Sequence, residues 1–298
     1  MSEGPEVHRI AAKLRGEFAG SSIVSVETRL KKAQAWLNEH PGEVEGREIL
    51  GVSAAGKNLI WSLGGELYFH MHLLMFGKIK TYSLQHHVEF DRMTRGLIVS
   101  TARQAELVNV QVFNIGVGDP FQQIPTLCEL GPDLCSSLFD RHLFIERLLR
   151  EDNLEQEIGP VLLDQTVAAG VGNYLKSDIL FECAIDPWAR VGELTAEQVD
   201  CLARTIPAVG QRALKNSGQT VPDDVMLRIT AEKGGATPGW SERHWVFRHT
   251  NRPCKVCGTP IKARRQGPGE GRMTFYCPNC QGVDTAGVPR EASMRSAG

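Results

Sequence analysis

Asp164-Gln165-Thr166-Val167-Ala168-Ala169-Gly170-Val171-Gly172-Asn173-Tyr174 joins one helical stretch to the next. A Gly-x-Gly turn lets two backbones approach closely, and the helix that follows it presents unpaired N–H groups to an anion. Such a turn resembles a DNA-binding helix-turn-helix, in which Asn173 and the turn glycines Gly170 and Gly172 grip a backbone phosphate. Taken by itself it fits a plain helix–helix corner equally well, so the neighbouring sequence decides.

Toward the N-terminus the pattern changes. Residues 5–18 read as a helix, with Val7, Ile10, Ala11, Leu14 and Phe18 on one apolar face. Pro5 suits a first helical position, and Glu6 suits an acid-favouring first turn. From about residue 21 to 116 the period becomes two. Strands are expected at Ile23–Thr28, Glu48–Ser53, Leu59–Leu63, Leu67–His72, Lys78–Tyr82, Leu97–Thr101 and Leu107–Phe113. Short strands with no intervening helix predict an antiparallel β-sandwich. Pro120, Pro125 and Pro132 mark a linker, and helices are then expected at 138–150, 154–168, 173–182, 194–215 and, more weakly, 222–231. The chain thus divides into residues 1–120, a linker at 121–137, a helical domain at 138–235, a metal module at 245–281 and a small-residue, polar tail at 282–298 that is expected to be disordered.

The 298 residues are 42% hydrophobic and 23% charged, a globular composition. No apolar run reaches the roughly 18 residues of a membrane helix, and the acidic start lacks a signal-peptide core. A cytoplasmic, nucleoid-associated location is expected, or a nuclear one in a eukaryote, with no membrane partner. The net charge of −2 predicts no polyanion partner by itself. Yet Arg243, Arg248, Arg252, Lys255, Lys262, Arg264, Arg265 and Arg272 share the span 243–280 with one acid, Glu270. That local excess suits phosphates, although a solvated face would look the same.

Cys254-Lys-Val-Cys257 and Cys277-Pro-Asn-Cys280 are a strong zinc signature. Four thiolates leave no open position for water, so one structural Zn2+ is expected. It would stiffen a β-hairpin that carries Arg272, which can then clamp a phosphate bidentately. Cys128, Cys135, Cys183 and Cys201 sit among apolar neighbours and read as small buried hydrophobes.

Several pieces occur in one order: Glu3-Gly4-Pro5-Glu6-Val7, Gly56-Lys57, His72-Leu73-Leu74-Met75-Phe76-Gly77, Leu130-Gly131-Pro132-Asp133, Leu162-Leu163-Asp164-Gln165 through Tyr174, and Arg272 through Gln281. Together they resemble the formamidopyrimidine-DNA glycosylase and endonuclease VIII family across residues 2–281. The resemblance implies a two-domain α+β fold. An N-terminal helix and antiparallel β-sandwich face a helix-two-turns-helix domain with a β-hairpin zinc finger, and a monomer holds damaged DNA between them.

It also implies chemistry. With Met1 removed, the α-amine of Ser2 attacks the sugar C1′, and at a pKa near 8 an α-amine is usefully neutral. The base leaves, a Schiff base forms, and elimination cleaves the strand. Glu3 matches the catalytic acid and Glu6 a supporting residue. Lys57, Asn173 and Arg272 match the phosphate grips, and Leu74, Met75 and Phe76 match the wedge that fills the gap left by the extruded nucleotide. Outside the family, Glu3 would read as a helix-dipole acid and Leu74–Phe76 as a strand end.

Two departures stand out. Serine replaces the usual proline, so the amine is primary and its imine must be protonated to act as electron sink; strand cleavage is expected to be the weaker activity. Glu106–Phe113 lacks the Arg-Arg-Phe element of the purine-directed branch, which favours the endonuclease VIII side and oxidised pyrimidines. A purine-directed glycosylase, a damage-binding protein without catalysis and a zinc-ribbon RNA binder are the competing readings. The last leaves the N-terminal motif unexplained.

Overall fold

The computed structural model describes residues 2–283; the tail expected from 282 therefore lies outside the described residues from 284 onward. The first lobe holds α1 (Gly4–Phe18), β1 (Ile23–Thr28), α2 (Lys31–Glu39), β2 (Ile49–Ala55), β3 (Asn58–Leu63), β4 (Leu67–His72), β5 (Lys78–Tyr82), β6 (Thr94–Ser100), β7 (Gln104–Val108) and β8 (Val112–Val117). Two antiparallel sheets form, in the orders β2-β3-β4-β8 and β1-β6-β7-β5. The expected sandwich is present, with eight strands in it.

The difference from seven is local. Residues 107–113 are not one strand: β7 ends at Val108, Asn109 takes φ +52°, and β8 starts at Val112. Asparagine tolerates this left-handed turn better than most residues. The absence of helices also fails at α2, whose Ala33, Trp36 and Leu37 recur at helical spacing inside a region otherwise of period two. The core between the layers is aromatic. Phe18 meets Trp61 at 5.1 Å and Phe69 meets Phe113 at 5.4 Å, both edge to face.

A connection with two single turns, α3 (Pro120–Gln123) and α4 (Pro125–Cys128), leads to the second lobe. That lobe holds α5 (Arg141–Leu148), α6 (Glu151–Leu154), α7 (Ile158–Val161), α8 (Asn173–Glu182), α9 (Ala196–Lys215), α10 (Asp223–Glu232) and the hairpin of β9 (Lys262–Gln266) with β10 (Arg272–Tyr276). Asp140 caps α5 by accepting from Leu143 N at 2.9 Å, and Thr195 with Gln198 forms a capping box on α9. The long helix expected at 154–168 is replaced by the turns α6 and α7 and an irregular stretch up to Gly172. Pro160 has no N–H to give a continuous helix, and Gly159 beside it is a poor helix former.

Cys135 and Cys183 are buried as expected, and of these two only Cys135 is a free thiol. Cys128 is exposed, and Cys183 and Cys201 are bridged as a disulfide between the end of α8 and the second turn of α9. The Cα–Cα separation of 5.8 Å is in the range such a bridge needs, and the packing of the two helices creates it.

Candidate active site

The site lies where α1 meets the turn between α7 and α8. Pro5 and the acids flanking it start α1, and its apolar face buries Val7, Ala11, Leu14 and Phe18 against β2 and β3. That packing leaves the helix N-terminus pointing at the second lobe. Gly4 N donates to Gly170 O at 2.9 Å, and a side chain on Gly4 would run into the Gly170 backbone. Gly170 itself takes φ +91°, a conformation glycine adopts without strain. A Cβ on Gly172 would overlap the Glu3 carboxyl. Both glycines of the turn are therefore needed to let the two lobes touch here.

Glu3 is buried, with its carboxylate oxygens on the first turn of α8. Tyr174 N donates to Oε1 at 2.9 Å and Leu175 N to Oε2 at 3.3 Å. Burial raises its pKa to about 7, opposed by the nearby Lys57 charge and by these two N–H donors. Glu6 Oε2 accepts from Glu3 N at 3.1 Å, and the Tyr174 hydroxyl donates to both Glu6 oxygens at 3.2 Å. Arg9 completes the ring, donating to Glu6 at 3.0 Å and to Ala213 O of α9 at 2.7 Å. Ser2, half-buried, directly precedes this cluster.

Lys57 follows Gly56 in the β2–β3 turn and donates to Val171 O at 2.6 Å, between the two turn glycines. Burial lowers its pKa, and Glu3 partly restores it. Asn173 donates from Nδ2 to Met273 O at 2.8 Å, which ties α8 to β10; its Oδ1 is buried and has no partner among the described residues. Arg272 is exposed at the start of β10, with Nη1 3.9 Å from Met75 Sδ. Leu74, Met75 and Phe76 form an exposed turn between β4 and β5, and Phe76 is 71% exposed. An apolar triplet in water is not a core strand end. Ser2, Glu3, Glu6, Lys57, Asn173, Gly170 and Gly172 thus converge, with Arg272 and Met75 meeting on the same side of the cleft.

Sequence reasoning passed over four residues here. Tyr174 and Arg9 shape the Glu6 carboxylate, and His72 accepts from the Leu74 backbone. Lys176 is fully buried and donates to Thr274 Oγ1 at 2.6 Å; burial lowers its pKa to about 8. Lys176 stands out only in the fold, where it and Asp178 are charges in a helix buried on nearly every side. The basic span 243–280 is partly spent inside the fold. Lys255 donates to His244 O, Arg264 stacks on Trp188 at 4.1 Å and Arg265 holds Glu270 O.

The four cysteines at 254, 257, 277 and 280 bring their sulfurs within 4.8 Å of one another. Cys254 and Cys280 are 3.8 Å apart, and Cys257 and Cys277 3.4 Å. A tetrahedral zinc with Zn–S bonds near 2.3 Å spaces sulfurs by about 3.8 Å. Backbone N–H groups of Val256 and Cys280 face Cys254 Sγ and Cys277 Sγ at 3.4 Å, as in thiolate knuckles. The donor set fits a closed structural metal site.

Two family models match, the formamidopyrimidine-DNA glycosylase N-terminal domain over residues 1–112 and the H2TH domain of the same glycosylase over residues 130–224. With the site geometry they define the class, a two-lobed DNA-repair glycosylase. The chain is 30% identical over 286 residues to formamidopyrimidine-DNA glycosylase of Thermus thermophilus, covering 95% of this chain and 99% of that one. It is 26% identical to the probable endonuclease 8 2 of Streptomyces coelicolor, over 94% of each chain. The Lactococcus lactis glycosylase in complex with abasic-site DNA superposes with a TM-score of 0.77 at 25% identity, covering 94% of this chain and 99% of that one. The chain belongs to the formamidopyrimidine-DNA glycosylase and endonuclease VIII family, whose members are base-excision-repair DNA glycosylases with AP lyase activity.

Proposed function

We propose that this glycosylase acts on oxidised pyrimidines in DNA through the α-amine of Ser2, freed by removal of Met1. The amine attacks C1′ of the extruded nucleotide. The C1′–base bond breaks, and Glu3 donates a proton to the opening sugar. The resulting Schiff base, once protonated, acidifies the C2′ proton; its loss expels the 3′ phosphate. Lys57, Asn173 and Arg272 hold the flanking phosphates, Glu6 positions Glu3, and Leu74, Met75 and Phe76 fill the vacated stack. One zinc on Cys254, Cys257, Cys277 and Cys280 holds the hairpin that carries Arg272, and the protein works as a monomer around its DNA.

The observation that carries this reading is Glu3 itself. It is a buried carboxyl one residue from Ser2, seated on the α8 amides and held near neutrality at pH 7. Such a group is a proton donor at the pH where a primary α-amine begins to be neutral. The pyrimidine preference rests on the β7–β8 segment, Glu106–Phe113, which lacks the Arg-Arg-Phe element.

A panel of thymine glycol, 8-oxoguanine and abasic oligonucleotides, with borohydride trapping, tests it. The expected result is excision of thymine glycol well above 8-oxoguanine, with a trapped adduct whose peptide map ends at Ser2. Excision should exceed strand nicking, because the imine of a primary amine must first be protonated. An adduct on another residue, or none, would falsify the Ser2 assignment. A preference for 8-oxoguanine would reverse the branch assignment while leaving the chemistry standing.

A further inference from the structure

We infer that Cys183 and Cys201 form a reversible redox clasp that controls how firmly the β9–β10 hairpin is seated, and through it the grip on DNA. The effect on DNA rests on the reading of Arg272 as a phosphate contact; the clasp itself does not.

The two cysteines stand at the ends of one segment. Cys183 is the C-cap of α8 and Cys201 lies in the second turn of α9, 18 positions further on. The bridge between them closes residues 184–195 into a loop, and that loop is the footing of the hairpin. Gln281 Nε2 donates to Ile185 O at 2.8 Å, while Gln281 Oε1 accepts from Cys277 N at 2.9 Å. One side chain thus ties the loop to a cysteine of the metal site. Gln266, the last residue of β9, donates to Pro187 O at 2.6 Å. Trp188 meets Tyr276 of β10 edge to face at 4.8 Å and carries the Arg264 guanidinium on its ring. Two of these contacts end on main-chain carbonyls of the loop, so they last only while its backbone is held.

The middle of the loop is fixed to α7, because Ile158 N donates to Ala189 O at 2.9 Å and Gly159 N to Pro187 O at 3.1 Å. The α8 end is a sharper corner. Ala184, the residue after Cys183, takes φ +51°, a left-handed conformation that alanine disfavours. The bridge pins the residue just before this corner. With the bridge open, the corner relaxes and Ile185 O draws away from Gln281.

Both oxidation states have a place in the packing. The Thr205 hydroxyl lies 3.4 Å from Cys183 Sγ and 3.6 Å from Cys201 Sγ, where it accepts from a thiol once the bridge is open. Cys201 is partly exposed and Cys183 is buried, so a hydroperoxide meets Cys201 first. The Cys201 thiol attacks one peroxide oxygen, which breaks the O–O bond, gives a sulfenic acid and releases water. The Cys183 thiol then attacks that sulfur, and a second water leaves as the S–S bond forms. One peroxide and two thiols give one disulfide and two waters. A thiol or phosphine reductant reverses the result.

The test compares oxidised protein with protein reduced by a phosphine, at equal metal content. Hydrogen exchange of the β9 and β10 amides, and the Kd for an abasic-site duplex, should each rise about tenfold on reduction, since the open loop samples more states. The β3 amides of the sandwich should not change. Stoichiometric hydrogen peroxide should restore both values and leave Cys183 and Cys201 linked in the peptide map. Cys201→Ser should match the reduced protein with or without phosphine; if this variant folds poorly, the reduced wild-type protein carries the test by itself. Equal hairpin exchange in the two states, acceleration of the β3 amides to the same degree, or thiols that stay open to alkylation after peroxide would overturn the clasp. Faster hairpin exchange with unchanged affinity would keep the clasp and remove Arg272 from the DNA contact.

Discussion

Glu3 shows how one residue sets function against stability. Its folded-state pKa of about 7 lies above the ordinary glutamate value of 4.5. The folded protein therefore binds a proton that the unfolded chain has released between those values. The sign follows directly. The contribution of this carboxyl is fully favourable below about pH 4.5 and is lost as the pH rises through 7. By linkage the ionised group costs about 3 kcal/mol in the native state at alkaline pH. Glu3→Gln keeps the shape, accepts from Tyr174 N as before and never ionises. We expect it to abolish base excision, and to melt several degrees above the parent at pH 8 while matching it near pH 5. Calorimetry at the two pH values checks this; equal melting shifts at both would mean that Glu3 is not held protonated by burial. In the sequence Glu3 reads as the catalytic acid only through the family resemblance; by itself it is an acid before a helix, and the partners that bury it lie far along the chain. The lobe that desolvates it is supplied by residues 170–175.

At the scale of elements, the hairpin of β9 and β10 depends on the cysteine cluster beneath it. Asn173 reaches Met273 O, Lys176 reaches Thr274, and Phe275 packs edge to face on Phe247 at 5.0 Å. Zinc bound at Cys254, Cys257, Cys277 and Cys280 would organise all of these contacts, because a closed thiolate site contributes folding energy outright. Cys277→Ser, or chelation, should release close to one zinc per chain and weaken binding to abasic DNA at least tenfold. The β-sandwich should stay folded, since its core is separate. Metal analysis with a binding titration checks the first pair of outcomes and hydrogen exchange of the β3 and β4 amides the last; unchanged affinity after zinc loss would remove the hairpin from the DNA interface. Cys-x-x-Cys pairs are local in sequence, which is why this element was legible. Helix α2 and the break between β7 and β8 were not, although Ala33, Trp36 and Leu37 carry a helical period. A short amphipathic helix inside a run of strands is a few residues of signal against a long period-two background.

For the whole molecule, the two cores are joined by a small set of polar contacts that cluster at one place. Asp133 Oδ2 takes His8 Nε2 at 2.9 Å and Gly56 N at 2.6 Å, while its Oδ1 takes Cys135 N at 2.8 Å. Arg9 adds its bond to the end of α9, where a cation also complements the helix dipole. Asp133→Ala orphans the N–H of the buried Gly56, which costs roughly 1–3 kcal/mol. It should loosen the lobes relative to each other, so that the calorimetric enthalpy exceeds the van't Hoff value by more than in the parent. An identical ratio would show that apolar packing alone couples the lobes. Among the described residues no helix is long and apolar enough to cross a membrane.

The sequence by itself determined what is local or periodic. It specified the helix from Pro5, most of the strands, the four thiols with their spacing, and the order of motifs that marks the family. These depend on neighbours a few residues away, where side-chain period and backbone preference dominate. Only the tertiary structure decided what depends on distant partners. It seated Glu3 on the amides of Tyr174 and Leu175, drew Lys57 to Val171 and bridged Cys183 to Cys201. A carboxyl's proton affinity and a glycine's necessity come from what is packed against them, and that is settled when residues more than a hundred positions apart are brought into contact.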